Sequence, residues 1–286
     1  MDHAIGYALL SLAAAGCLDV SFKGYSRKTR SRGMYVFGCG VTWAVLQFCW
    51  FHFRGIEPAF DMTTIGYGLA GGSVLVLANI LLIESLTHLN VSLGSTIYRL
   101  NTIGVVILSF LLLSEPMGLM KTAGVLFGIL AVWTLYDRNP EQGSVHPLRI
   151  FLWISILASL FRAVFGIVSK AGLQAGADAD AMLIIYALCW VVGGLIYACV
   201  REMPFRLTGK KIAYGMLSGS LLSVVVNALV LALAMGEVSV VAPIANLSFF
   251  VALLISAAIG MEELNKRKSI AIAGAFISIV LLAQSL

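Results

Sequence analysis

The chain has 286 residues, 60% of them hydrophobic and 12% charged, with a formal net charge of +5 and a mean hydropathy of +0.96. An ordinary soluble domain carries about 25% charged residues, so composition excludes one and indicates a polytopic membrane protein embedded in a lipid bilayer. The positive balance does not point to nucleic acid, because the Lys and Arg residues gather in short loops between apolar segments, where they report orientation.

Windows of about 20 apolar residues predict ten spans in chain order: 4–22, 33–53, 64–87, 91–113, 118–136, 149–173, 181–200, 211–235, 238–260 and 268–285. No basic segment precedes the first span, so a cleaved signal peptide is not expected. Span 1 holds Asp19 and span 3 holds Glu84, the two carboxylates inside the spans, both toward one end of the bilayer with Lys23 and His88 nearby. Either acid could take part in proton coupling, since burial raises a carboxylate's affinity for a proton. Either could equally neutralise a cation or cap a helix.

Span 4 carries Arg99, with Ser92, Ser95, Thr102 and Ser109 on one helical stripe and Tyr98 beside it. Span 6 carries Arg162 on a stripe with Ser155, Ser159 and Ser169. Charge at mid-membrane costs at least ~2.5 kcal/mol on insertion scales, so such a residue faces a cavity or a partner. Two readings of Arg162 stand at this level: contact with a substrate, or pairing with Asp19 or Glu84. Span 8 adds Ser220, Ser223 and Asn227, and span 9 adds Asn246. Four polar stripes predict a shared cavity, although serines in membrane helices also bond their own backbone or join neighbouring helices. Trp43, Trp50, Trp190 and Tyr186 either stack on a substrate or fill lipid-facing positions. Spans 5 and 10 have uncharged interiors and small residues at helical spacing, Gly124 and Gly128, then Gly274 and Ser278. Such patterns allow close helix approach, either within the chain or across a homodimer. Pro243 marks a hinge early in span 9, and Glu115 and Glu262 serve the turns that follow spans 4 and 9.

The five cysteines, Cys17, Cys39, Cys49, Cys189 and Cys199, all lie in spans and read as small core residues rather than as a zinc site or a disulfide framework. His3, His52, His88 and His146 fall at or outside span ends, and no span pairs a nucleophile with a base. No enzyme, metal or cofactor is expected.

A second pattern overlies the first. Residues 68–135 align with those 147 positions later: Gly72-Ser73 falls on Gly219-Ser220, Val91-Ser92 on Val238-Ser239, and Ile97, Leu100, Glu115 and Lys121 on Ile244, Leu247, Glu262 and Lys268. Arg99 falls on Asn246. The expected organisation is two five-helix repeats, 1–136 and 149–286, joined by a polar linker at 137–148. An odd number of spans per repeat inverts the second copy, as in many secondary transporters. The loops after spans 1, 5, 7 and 9 hold 14 Lys and Arg residues against three on the other side (Arg54, Lys121, Lys170). That bias predicts both termini outside and those loops in the cytoplasm.

Two stretches carry a family resemblance: Ser95-Thr-Ile-Tyr-Arg-Leu100 followed by Leu113-Ser-Glu-Pro116, and Val241-Ala-Pro-Ile-Ala-Asn-Leu247 followed by Gly260-Met-Glu-Glu263. The chain resembles the EamA-type drug/metabolite transporter superfamily across essentially its whole length, with Thr96 where a proline is common and Ser114 where a glycine is common. The resemblance implies an all-α membrane protein of ten transmembrane helices in two inverted five-helix repeats, a central cavity and alternating access. The expected function is export of a small polar metabolite bearing a carboxylate or phosphate from the cytoplasmic membrane, with uptake of such a metabolite or flipping of an anionic lipid carrier as alternatives. Candidate substrate contacts are Arg99, Arg162, Asn246, Asn227, Ser95, Tyr98, Ser159 and Trp190, and the candidate coupling groups are Asp19 and Glu84.

Overall fold

The structure is a computed structural model and describes residues 2–26, 31–85, 98–99, 101–134, 145–202, 208–260 and 265–285. Helix is the only regular structure among them. The helices are α1 (Asp2–Ser26), α2 (Arg32–Arg54), α3 (Met62–Ser85), α4 (Asn101–Leu113), α5 (Leu119–Thr134) and α6 (Val145–Gln174), followed by α7 (Ala179–Arg201), α8 (Gly209–Met235), α9 (Val238–Asn246), α10 (Phe249–Ala258) and α11 (Lys266–Ala283). Polar residues mark several starts by capping orphan backbone N–H groups. Ser31 accepts from Met34 N, Asp61 from Thr64 N, Asp178 from Ala181 N and Asn265 from Lys268 N.

Among the described residues, seven helical stretches are long and apolar enough to cross a bilayer: His3–Phe22, Arg32–Arg54, Met62–Ser85, Ile150–Gln174, Ala179–Arg201, Gly209–Met235 and Val238–Ala258. Their outward faces carry large apolar side chains such as Phe53, Trp153 and Val200. Exposed apolar area on that scale suits lipid rather than water, and the protein is a multi-pass membrane protein. The first ten residues of the sequence-predicted span 4 are described only at Tyr98 and Arg99.

The helices pack mainly between the early and late parts of the chain. The most extensive pairings are α3 with α6, α2 with α7, and α1 with α8; α5 lies on α11, and α4 lies on α6 and α9. Glycines set the closest of these approaches. A Cβ at Gly194 would sit 2.4 Å from Phe37 N, and one at Gly40 2.6 Å from Val191 N, so the backbones of α2 and α7 touch where both side chains are missing. On α5 and α11 the predicted small residues meet one another, with Ser278 Oγ donating to Gly124 O at 2.6 Å and filling the space a Cβ at Gly128 would need. That seam is spent inside the chain.

Several details differ from the sequence expectation. Span 9 is not one hinged helix: α9 and α10 are separated by a turn at Leu247 and Ser248, four residues after Pro243. Leu247 N there donates to the tighter partner Ile244 O, at 3.1 Å. Glu115 serves more than the turn behind α4, because its two carboxylate oxygens accept Val238 N at 2.7 Å and Ser239 N at 2.8 Å and so cap α9. Cys49 and Cys199 face outward rather than into the core, whereas Cys39 is buried. Trp43, Trp190 and Tyr186 are core residues, so among the aromatic candidates only Trp50 is exposed, and it stacks under Arg54.

Ser114, which ends α4, has φ 54°, and Gly260, which ends α10, has φ 67°. The same left-handed turn therefore follows both segments, and in the first of them a serine adopts the conformation that suits glycine.

Candidate functional site

The α9–α10 break leaves helix-end backbone groups inside the apolar part of the molecule, where unpaired polar groups are costly. Arg99 answers them. Its Nη1 donates to Asn246 O at 3.0 Å and to Ser248 Oγ at 2.9 Å, and its Nη2 donates to Asp19 Oδ2 at 2.5 Å. Ser248 Oγ also donates to Asp19 Oδ2 at 3.2 Å. The guanidinium stands 5.5 Å from the Phe249 ring centroid. The planar fork of arginine suits this three-way task, since each N–H has a separate direction. Asp19 thus neutralises a partly buried cation; the side chains are 16% (Arg99) and 42% (Asp19) exposed.

Asn246 extends the network toward α4. Its Nδ2 donates to Asn101 Oδ1 at 2.5 Å and to Thr102 Oγ1 at 3.3 Å. Both amide hydrogens are therefore used, and Oδ1 has no donor among the described residues. Arg162 differs from Arg99 in having neither a hydrogen bond nor an ion pair among the described residues. Its guanidinium lies 5.3 Å from the Phe165 ring centroid, and Tyr98 sits within the electrostatic reach of Arg162, Arg99 and Asp19. Glu84 is not its partner: Glu84 accepts from Tyr197 Oη at 2.7 Å and Arg201 at 2.5 Å at the far end of α3. The pairing of Arg162 with either acid is thereby corrected, because both acids are engaged elsewhere.

Two narrow cavities flank the break and share Asn246. One lies against Arg99, Thr102, Pro243 and Ser278, and the other against Arg162, Val105, Phe165 and Ala242. Each has room for about one water.

The remaining candidates spread out. Asn227 forms a reciprocal amide pair with buried Gln47 on α2, at 3.2 and 2.9 Å. Ser159 and Trp190 are buried, and Trp190 Nε1 has no hydrogen-bond partner among the described residues. Ser95, His88 and Glu262 lie outside the described residues. The structure thus brings together Arg99, Tyr98, Asn246, Arg162 and Asp19, and leaves Asn227 and Glu84 in other contacts. Sequence reasoning missed Asn101 and Ser248. Both are close neighbours in sequence of a residue already chosen, and the helix break places Ser248 in the network.

A second polar cluster closes the end of the molecule that holds both termini. Lys121 is buried, bonds Pro116 O at 2.7 Å and pairs with Glu237. Lys170 donates to Leu233 O at 2.6 Å and Gly236 O at 2.8 Å, satisfying the C-terminal carbonyls of α8.

No group of three or more His, Cys, Asp or Glu side chains suited to a metal occurs among the described residues. No family model and no curated protein matches the sequence. Twenty-nine chains of solved structures match the fold. One, a crystal structure of a protein 12% identical in sequence, superposes with a TM-score of 0.85 over 100% of this chain and 99% of that one. At that identity the likeness establishes a shared fold alone.

Proposed function

We propose that this chain is a secondary transporter of the EamA-type drug/metabolite kind, with ten spans in two inverted five-helix repeats, which exports a small metabolite bearing a carboxylate or phosphate across the cytoplasmic membrane by alternating access. The observation that carries this reading is the interrupted helix at Leu247 and Ser248, where Arg99, Asp19, Asn246 and Ser248 converge. Broken helices that offer backbone and side-chain polar groups at mid-membrane are how transporters of several folds hold substrates and ions.

Inverted repeats are supported by the packing, which is symmetric under exchange of the two halves. The α3–α6 contact is matched by α8–α1, the α3–α7 contact by α8–α2, and α2–α7 and α5–α11 are self-matched. Arg99 also touches Asn246, the residue 147 positions later that is its own repeat mate. Two equivalent residues meet only near the axis that relates them. The narrowness of the cavities fits a state closed around the site, with substrate entry waiting on helix separation.

The test is to measure thermal stabilisation of the purified protein by a metabolite panel, since a ligand that binds only the folded state raises its stability. Carboxylates or phosphates should raise the midpoint, and flux in reconstituted vesicles should follow the same ranking. A panel in which only neutral or cationic compounds stabilise would sink the anion reading. Reporters fused after Leu286 and within 137–148 should read as outside and inside, respectively; the opposite result would overturn the orientation.

A further inference from the structure

Resting on that transporter reading, the geometry points to a ligand pocket at Arg162 and Asn246 for a monocarboxylate that carries a hydroxyl donor next to its carboxylate. Arg99 and Asp19 compensate each other within one ion pair. Among the described residues Arg162 is the cation left uncompensated on this network, so the charge available to a ligand is one. A carboxylate matches the two parallel N–H groups of a guanidinium in a bidentate fork. A phosphate dianion or a dicarboxylate would bring a second negative charge into an apolar site with no cation to meet it, and an unpaired buried charge is strongly disfavoured.

The donor requirement comes from Asn246. Its Nδ2 hydrogens are committed to Asn101 and Thr102, which leaves Oδ1 as an acceptor on the residue that lines the same cavity as Arg162. The rest of that wall, Val105, Phe165, Leu229 and Ala242, is apolar and suits a short hydrocarbon body. One cation, one neutral acceptor and an apolar wall together describe a 2-hydroxy acid better than a plain fatty acid or a phosphate ester.

The probes are propionate, lactate, succinate and inorganic phosphate, titrated at pH 7 against the purified full chain with calorimetric and thermal-shift readouts. Lactate, which is propionate with a 2-hydroxyl, should bind about tenfold tighter than propionate, the worth of one well-placed hydrogen bond. Succinate and phosphate should bind more weakly than lactate. Asp19→Asn frees the Arg99 charge and should move the preference toward succinate and phosphate. Arg162→Gln should abolish lactate binding while the unliganded midpoint holds or rises, because an uncompensated intramembrane charge is removed. Asn246→Leu should bring lactate and propionate to equal affinity, a ratio that survives a general loss of stability.

Tighter binding of succinate or phosphate to the parent, or equal affinity for lactate and propionate, would overturn the inference and leave the anion transporter standing. So would lactate binding that survives Arg162→Gln. If none of the four anions binds, the inference and the anion reading fall together.

Discussion

The crossing of α2 and α7 offers the sharpest mechanical test of the architecture. Alanine at position 194 would place its Cβ 2.4 Å from Phe37 N, 2.8 Å from Phe37 Cα and 2.9 Å from Val36 C. All three atoms are backbone, so no rotamer change relieves the contact. Ordinary van der Waals distances begin near 3.4 Å, so the two helices must part by about 1 Å where their contact is most intimate. Overpacking of a well-packed core costs about 1–3 kcal/mol, and a clash between backbones belongs at the upper end, near ~3 kcal/mol. Gly40→Ala, facing Val191 N at 2.6 Å on the same crossing, should cost nearly as much. The double variant should cost clearly less than the sum, because the first substitution has already separated the helices. Gly66→Ala on α3 has nothing within 4 Å and serves as the control, neutral or stabilising by up to ~1 kcal/mol from helix propensity. Unfolding in mixed micelles, followed by near-UV circular dichroism, would measure all four. A Gly194→Ala protein that unfolds with the parent would refute the close approach.

Ser114→Gly should stabilise by ~1 kcal/mol, since it removes a side chain from a left-handed conformation, and Gly260→Ala should destabilise by a similar amount in the same unfolding assay. Arg99→Gln, which loses the ion pair and the bonds to Asn246 O and Ser248 Oγ, should cost ~2–3 kcal/mol. Asp19→Asn should cost only ~1 kcal/mol because Asp19 is 42% exposed and water screens the lost charge; the reverse order would contradict the assigned network. Glu115→Gln should cost ~2 kcal/mol, because an amide can accept from only one of the two α9 N–H groups, and hydrogen exchange at Val238 and Ser239 should accelerate selectively. Lys121→Met should cost ~1–2 kcal/mol, less than a fully buried pair would, because Glu237 is 34% exposed.

Hydropathy makes the spans legible, because a bilayer demands long apolar segments whose backbone bonds are satisfied internally. The polar residues that converge on the break were legible for the same reason: Arg99, Arg162 and Asn246 are conspicuous where polarity is costly. Their partners were not. Asp19 lies 80 residues from Arg99 and Glu115 lies 123 residues from Val238, and no periodicity in a single segment encodes a contact of that range. The break itself was half visible. Pro243 advertises a missing backbone bond, but the turn forms four residues later, where Arg99 supplies a compensating bond to Asn246 O inside an apolar surround. Gln47 shows the converse problem, since its burial against Asn227 depends on how α2 meets α8 and leaves no trace in the pattern of α2 alone.

The interleaving of early and late helices has a consequence for synthesis. Among the described residues, α1, α2 and α3 make their extensive contacts with α6, α7 and α8 rather than with one another. A ribosome that has delivered α1–α5 to the membrane has therefore delivered helices whose partners do not yet exist. Gly40 has no α7 to lie on, and the Glu115 carboxylate has no helix end to cap. The early helices must wait as loosely associated spans in lipid, and the bundle can close only as the later ones thread between them. Cutting the chain within 137–148 would on this account yield two fragments that are each poorly ordered and protease-sensitive alone. Order would return when both are made in the same membrane, much as two combs hold their shape only when meshed.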